Sequence, residues 1–343
     1  MIEVSVAILN YNGLSYLQKF LPGLIKNLPS CSEVVLIDNA SSDNSVSWLK
    51  SEHPTIRLIE LEENYGYAGG YNKGLEKLDS DYFLLLNSDV EIDSDFISPL
   101  LTKIKSDKRI VSVQPKILAQ KQKDTFEYAG ASGGMMDYLG YPFCRGRIFD
   151  HCEKDRAQYD DAIEIFWASG AAFLVKAELF KRFGGFDVDY FAHMEEIDLC
   201  WRFKNAGYIV MVEPISTVYH VGGGTLDYQN PKKTFLNFRN ALHTILKNQG
   251  GLKLIWAFPF RLMLDGVAGF RFLLQGEFSN FWAIVKAHWS TFFALAKILR
   301  KRKKIENIRL EHNISDKPNL TGLFNKSIIW QYFIKKNKTY NQL

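Results

Sequence analysis

Three carboxylates, Glu195, Glu196 and Asp198, fall within four positions of the stretch FAHMEEIDLCW, among Phe191, Met194, Ile197 and Leu199. Acidic side chains are rarely buried unless they are paired or bound to something. On a helix, Glu195 and Asp198 share a face, and Glu196 is turned away from them. An acidic first helical turn, favoured by the helix dipole, explains one or two such charges on a solvated helix. Three beside apolar neighbours suit a general base instead, since crowding of like charge raises a carboxyl pKa toward a working range.

Two further residues could handle a metal ion. Asp89, in the segment NSD (Asn87–Asp89), closes the most apolar run of the chain, DYFLLLNSD. A carboxylate there can hold a hard divalent cation, which in turn clamps a diphosphate; an isolated strand-end Asp is more often a turn or cap residue. His220, in VYHVGGGT, also ends an apolar run. A lone His in that position is usually a core or turn residue, but His and Asp at two strand ends form a plausible mixed O/N site. The stretch ENYGYAGGYNKGL places Gly66, Gly69, Gly70 and Gly74 at a strand-to-helix junction. Glycines let backbone approach a ligand, and a helix amino end favours phosphate. No GK[ST] follows and no GxGxxG is present, so this glycine pattern is structural as readily as functional.

The elements that must position these residues are legible from hydropathy. VSVAILNYN, EVVLIDNASSD, IRLIELEEN and DYFLLLNSD read as buried strands, with a helix over 15–27 between the first two. Their alternation with helices predicts an α/β fold with a mostly parallel, doubly wound sheet. Asn10, Asp38 and Asp89 then stand at carboxyl strand ends, where such sheets bind ligands. Residues 111–118 and 164–175 read as strands, 195–206 as a helix ended by Gly207, and YIVMVEP as a further strand; 124–161 shows little periodicity.

The chain of 343 residues is 47% hydrophobic and 14% aromatic, and its four cysteines form no CxxC pair, which favours reduced thiols and a cytoplasmic setting. Its opening, MIEVSVAILNYNG, lacks the basic start of a signal peptide. Charge is split unevenly. From Lys232 onward there are 20 Lys and Arg against 5 Asp and Glu, and before it 22 against 33. The basic part is also aromatic, with Trp256, Trp282, Trp289 and the run Arg300–Lys304. No uncharged span is long enough for a membrane-crossing helix. An amphipathic extension lying on an anionic membrane surface is expected, the alternative being helices packed on the body with a solvated basic run. Nucleic acid is not expected, because no recognition motif accompanies the charge.

The segments ILNYNG, LIDNASSD, ENYGYAGGYNKG, LLLNSDV and GGFDVDYFAHMEEIDLCWRFKNAGY…YHVGGGT occur in an order that resembles family-2 glycosyltransferases of the GT-A fold, most of all the bacterial dTDP-rhamnosyltransferase type. The likeness runs from Met1 to Thr225. It implies a catalytic domain over 1–230, with residues 231–343 as the helical extension. By this resemblance Asn10, Asn12 and Asp38 hold the base and ribose of a dTDP- or UDP-sugar, with Asn72, Gly69, Gly70 and Asn87 in the same nucleotide pocket. Asp89 and His220 bind a divalent metal, Mn or Mg; the family's usual Asp is Asn at position 87, which removes one charge from that site. Glu196 takes the place of the base that deprotonates the acceptor, with Glu195 as the fallback. Trp167, Ser169, Gly170 and Asp198 face the substrate, with Asp198 in reach of Arg202 at i+4, while Trp167 is equally readable as a core residue.

The resemblance implies an inverting enzyme, peripheral on the inner membrane face, that builds cell-surface polysaccharide on a lipid-linked saccharide acceptor. A processive synthase is disfavoured by the absence of QxxRW and of spanning helices. Asn87 and Glu196 keep open a catalytically silent glycan- or nucleotide-binding protein of the same fold.

Overall fold

The computed structural model describes residues 2–222 and 230–343. The first half runs β1 (Val4–Asn10), α1 (Leu14–Lys26), β2 (Ser32–Asp38), α2 (Ser45–Glu52), β3 (Arg57–Glu60), α3 (Gly66–Leu75), β4 (Tyr82–Asn87), β5 (Val90–Glu91) and α4 (Ile97–Ser106). Then come β6 (Ile110–Ala119), β7 (Gln122–Phe126), β8 (Gly134–Asp137), β9 (Pro142–Cys144), β10 (Arg147–Ile148), β11 (His151–Cys152) and β12 (Ile163–Ile165). The remainder is β13 (Ala172–Lys176), α5 (Ala177–Arg182), α6 (Glu195–Asn205), β14 (Ile209–His220), α7 (Pro231–Asn248), α8 (Lys253–Leu274), α9 (Phe278–His312) and β15 (Leu323–Phe324).

The main sheet has the order β12-β14-β6-β13-β4-β1-β2-β3. Strands β3, β2, β1 and β4 are parallel. The expected parallel arrangement thus holds for this half, whereas β13 runs antiparallel between β4 and β6. Alternation along β1 divides the interior in two: Val4, Val6 and Ile8 join Leu17, Leu21 and Leu100 on one face, while Ala7 joins Ile37, Tyr71 and Phe83 on the other. Both faces of the sheet are covered, which is why these strands read as unbroken apolar runs.

Two stretches differ from the sequence reading. The single strand expected over 164–175 is two, β12 and β13, which lie in different parts of the sheet. A continuous apolar run does not reveal a strand that leaves one partner and rejoins another. The weakly patterned 124–161 region forms most of a second, smaller sheet, β11-β10-β9-β8-β15. Its last strand comes from the far end of the chain, with Leu323 opposite Met136. Pairing of such sequence separation leaves no local signature.

Residues 231–343 return to the body repeatedly. Asn205 Nδ2 donates to Asn248 O at 3.0 Å, Arg261 Nη1 to Gly140 O at 3.2 Å, and Tyr340 N to Glu153 Oε1 at 3.0 Å. Among the described residues no helix is long and apolar enough to cross a membrane.

Candidate active site

Parallel register sets the strand ends side by side: Asn10 is opposite Asp38, and Leu9 opposite Asn87. Asn10 Nδ2 donates to Asp38 Oδ1 and to Ser41 Oγ, each at 3.0 Å, and Ser41 N donates to Asp38 Oδ2 at 2.9 Å. Asn10 is fully buried, and its Oδ1 has no hydrogen-bond partner. An enclosed acceptor of that kind is rarely left unpaired, and water or a ligand can supply the donor. Asn12, with φ of 52°, instead accepts from Ser42 N at 2.7 Å, so it shapes the loop after β2.

The glycine-rich stretch is helix α3 itself, pressed onto the sheet. A Cβ on Gly70 would stand 2.7 Å from Leu9 Cδ1, one on Gly69 2.9 Å from Tyr65 Cβ, and one on Gly74 would overlap Ile37. Gly70 and Gly74 let α3 pack closely on β1 and β2, while Gly69 makes room for Tyr65 at the start of the helix. Asn72, expected in the nucleotide pocket, uses both ends of its amide on Phe186: Nδ2 donates to Phe186 O at 2.8 Å and Oδ1 accepts from Phe186 N at 2.9 Å. It ties α3 to the segment leading into α6.

Asp89 and His220 meet where β4 and β14 end. His220 Nε2 lies 3.1 Å from Asp89 Oδ1, and Asn87 Nδ2 lies 3.4 Å from the same ring nitrogen. On the other side, His220 Nδ1 is 3.2 Å from Glu127 Oε2. Burial disfavours charge on this ring, but hydrogen bonding to Asp89 and Glu127 outweighs it and places the pKa at about 10. Burial likewise opposes ionisation of Asp89, and His220 more than offsets it, leaving that carboxyl below its usual range. A carboxylate oxygen and an imidazole nitrogen this close are donors that would suit a divalent ion, which would have to displace the proton His220 Nε2 carries at that pKa. Among the described residues no cluster of three or more His, Cys, Asp or Glu side chains is arranged to hold a metal alone. The glycines that follow, within residues 223–229, lie outside the described residues.

The acidic cluster opens α6. Glu195 is buried, Glu196 is half-buried along its stem, and the Oε2 atoms of both are enclosed without a partner. Burial raises Glu195 far above the usual carboxyl range, with Glu196 beside it adding to the effect. Burial brings Glu196 to about 7. Both charges bear on Tyr67, whose hydroxyl donates to Gly170 O at 2.7 Å and is pushed upward chiefly by burial.

Asp198 does not face substrate. It is fully buried, with Arg202 Nε at 3.0 Å, Lys247 Nζ at 2.9 Å and Asn248 Nδ2 at 2.7 Å. The i, i+4 partner anticipated for it is therefore present, inside a network joining α6 to α7. Trp167 is a core residue rather than a stacking surface: it is 3% exposed, and its Nε1 donates to Met135 O at 2.8 Å. Ser169 is also buried, its N donating to Gln114 Oε1 at 2.9 Å and its hydroxyl to Ala129 O. Gly170 is partly exposed and accepts from the Tyr67 hydroxyl, the group on which the acidic pair bears.

Sequence reasoning missed Tyr67, Glu127 and Asn240. Tyr67 and Tyr71 are four apart within the glycine stretch and touch edge to face at 4.7 Å, a helical spacing that could have placed them. Glu127 lies in the unpatterned region and gave no signal. Asn240 and Thr244 are fully buried on α7, in line with Leu236, so the signal was a polar residue at a core position.

Residues 5–183 match the family model described as Glycosyl transferase family 2. The chain belongs to that family. An N-acetylglucosaminyl-diphospho-decaprenol L-rhamnosyltransferase of Mycobacterium tuberculosis is 27% identical to this glycosyltransferase over 233 residues, which cover 63% of this chain and 75% of that protein. Among solved structures, GalNAc-T7 with UDP, GalNAc and Mn2+ aligns at a TM-score of 0.55 with 17% identity, over 72% of this chain and about half, 48%, of the other. The mannosyltransferase PcManGT from Pyrobaculum calidifontis, in complex with GDP-Man and Mn2+, aligns at 0.51 with 14% identity, over 92% and 88% of the two chains. At those identities the structural likeness establishes the shared GT-A fold.

Proposed function

We propose that this glycosyltransferase is inverting and metal-dependent, and moves a sugar, rhamnose being the first candidate, from a dTDP- or UDP-sugar to a lipid-linked glycan in cell-surface polysaccharide synthesis. The observation that carries the reading is Glu196: a carboxyl enclosed at the start of α6, unpartnered at Oε2 and poised at about 7. A general base works best with a pKa near the operating pH.

The reaction is a single displacement. The acceptor hydroxyl oxygen bonds to the anomeric carbon, its proton passes to Glu196, and the bond from that carbon to the diphosphate oxygen breaks on the opposite face. The nucleoside diphosphate leaves and the anomeric configuration inverts. No covalent intermediate is needed, so no Ser or Cys nucleophile is invoked. Asn10 and Asp38 orient the nucleoside, the former through its unpartnered Oδ1. Asp89 and His220 are the residues that would hold a divalent ion, which when bound supplies charge to stabilise the departing diphosphate.

A lipid-linked acceptor at the inner membrane surface is supported by the outer helices and by the relative's decaprenol-linked substrate name. Helix α8 is inside out. Its buried positions are Ala257, Arg261, Asp265 and Gly269, while Trp256, Met263, Val267 and Phe270 are exposed. Its neighbour α9 exposes Trp282, Trp289 and Phe293, the last at 83%. A large apolar face turned outward, with basic residues along it, suits the membrane interface.

The test is to supply the full chain with Mn2+, radiolabelled dTDP-rhamnose and an N-acetylglucosaminyl-diphospho-polyprenol acceptor. Label entering the lipid fraction with inverted anomeric configuration is the expected result. Retention of configuration, or no transfer from any dTDP- or UDP-sugar, would contradict the reading.

A further inference from the structure

The turn before α6 is held in a conformation that its residues do not favour. Phe191, His193 and Met194 have φ of 62°, 70° and 74°. Left-handed backbone is costly for side chains with a Cβ, and it persists only where the surroundings impose it. Here two helices do so. From α3, Ala68 N donates to Phe191 O at 3.2 Å, and a Cβ on Gly66 would stand 2.5 Å from the same oxygen. From α7, Asn240 Nδ2 lies 3.1 Å from Tyr190 O, 2.9 Å from Ala192 O and 2.8 Å from His193 O.

Asn240 is fully buried, and its Oδ1 accepts from Arg239 Nε at 2.9 Å. Arg239 in turn donates through Nη2 to Asp189 O at 2.8 Å and Tyr190 O at 3.2 Å. The amide orientation is forced, since its oxygen cannot face three carbonyls. Met194 is the residue from which α6 starts, and its carbonyl accepts the first helical bond, from Asp198 N at 2.9 Å. Glu195 and Glu196 follow at once. With no partner at either Oε2, their aim is set by the backbone on which they stand.

We propose that Asn240 is a positioning residue for the acceptor-activating carboxylate: by gathering the carbonyls of Tyr190, Ala192 and His193 it fixes the left-handed turn and so directs Glu196 at the acceptor hydroxyl. The proposal rests on the reading of Glu196 as the base. It gives α7, which lies beyond the residues matching the family model, a direct part in transfer.

The test compares wild type, Asn240→Ala, Asn240→Asp, Glu196→Gln and the Asn240→Ala/Glu196→Gln double variant. Transfer from dTDP-rhamnose to the polyprenol-linked acceptor is measured beside calorimetric binding of dTDP with Mn2+. Asn240→Ala is expected to lower kcat by at least about ten-fold, as misplacement of a reacting group does. dTDP affinity stays within about two-fold, because the nucleotide pocket is built on other elements. Asn240→Asp, of the same shape but with no donor, should lose at least as much. In the Glu196→Gln background the alanine should cost nothing more, since residues acting as a unit are not additive. A second change, His193→Gly, should recover part of the lost kcat, because glycine adopts the left-handed conformation unaided.

Wild-type kcat in Asn240→Ala overturns the proposal while leaving Glu196 as the base. So does a parallel fall of kcat, dTDP affinity and thermal midpoint, which marks a purely structural residue, and so does an equal further loss in the Glu196→Gln background. Full activity in Glu196→Gln alone removes the base assignment itself, and the proposal with it.

Discussion

His220 Nε2 stands 3.1 Å from Asp89 Oδ1, although Asp89 lies in the turn between β4 and β5 and His220 ends β14, far later in the chain. Their meeting depends on β14 pairing with β5: Tyr219 is opposite Glu91, and His220 opposite Val90. Glu127 then supports the ring from behind at 3.2 Å. If His220 ligates a metal, such a carboxylate behind it would fix the ring and raise its basicity.

Replacing that support should weaken the metal, not the nucleoside. Glu127→Gln is expected to lower Mn2+ affinity by about ten-fold, the usual effect of losing an outer carboxylate. Asp89→Asn should abolish metal-dependent stabilisation by dTDP. Thermal-shift titrations with and without Mn2+ measure both, and metal response unchanged in Asp89→Asn would remove that residue from the site.

Activity and stability should move in opposite directions with pH. Glu196 must be ionised to accept a proton, so the rate rises as pH increases through about 7. Because the folded carboxyl is raised from 4.5 to about 7, its contribution to stability is complete below about 4.5 and is lost as pH rises through about 7. Besides each other, the titratable groups bearing on Glu195 and Glu196 are Asp198 on α6, Cys200 one turn on, Tyr67 from α3 and Cys144 from the smaller sheet. Unfolding midpoints of wild type and Glu196→Gln between pH 4.5 and 8 should differ in slope, the variant being flatter; parallel curves would contradict the assignment.

The outward apolar face gives a prediction for membranes. Removing residues after Lys247 would strip β15 from its sheet as well as α8 and α9, so point changes are cleaner. Trp282→Glu with Phe293→Glu should release the protein from anionic liposomes in a sedimentation assay. Both side chains are exposed, so the thermal midpoint should hardly move. Unaltered co-sedimentation would remove this face as the contact.

Close packing of α3 can be tested separately. Gly74→Ala forces a methyl group into Ile37, and overpacking of this kind costs about 1–3 kcal/mol. Denaturant unfolding measures it, and a loss below about 0.5 kcal/mol would mean that the sheet yields at this point.

Sequence pattern located the first four strands, their polar ends and the acidic helix, because apolar runs and a 3.6-residue period are local properties. It did not separate a polar residue left with an unpartnered atom from one that satisfies the chain. Asn72 and Asn10 look alike in sequence. Folding turns one onto the Phe186 peptide and leaves the other with an unpartnered oxygen. Trp167 was ambiguous for the same reason, until Met135 O and Gly134 were found against it. The smaller sheet and the hold of Asn240 on the catalytic turn depend on contacts between distant segments, which periodicity cannot report.

The central claim, that Glu196 is the base of a nucleotide-sugar transferase, is tested most directly by one paired measurement on Glu196→Gln. The expected result is a kcat lower by at least about a hundred-fold, the scale of general-base catalysis, with dTDP binding in Mn2+ within about two-fold of wild type. Transfer at the wild-type rate by that variant would contradict it.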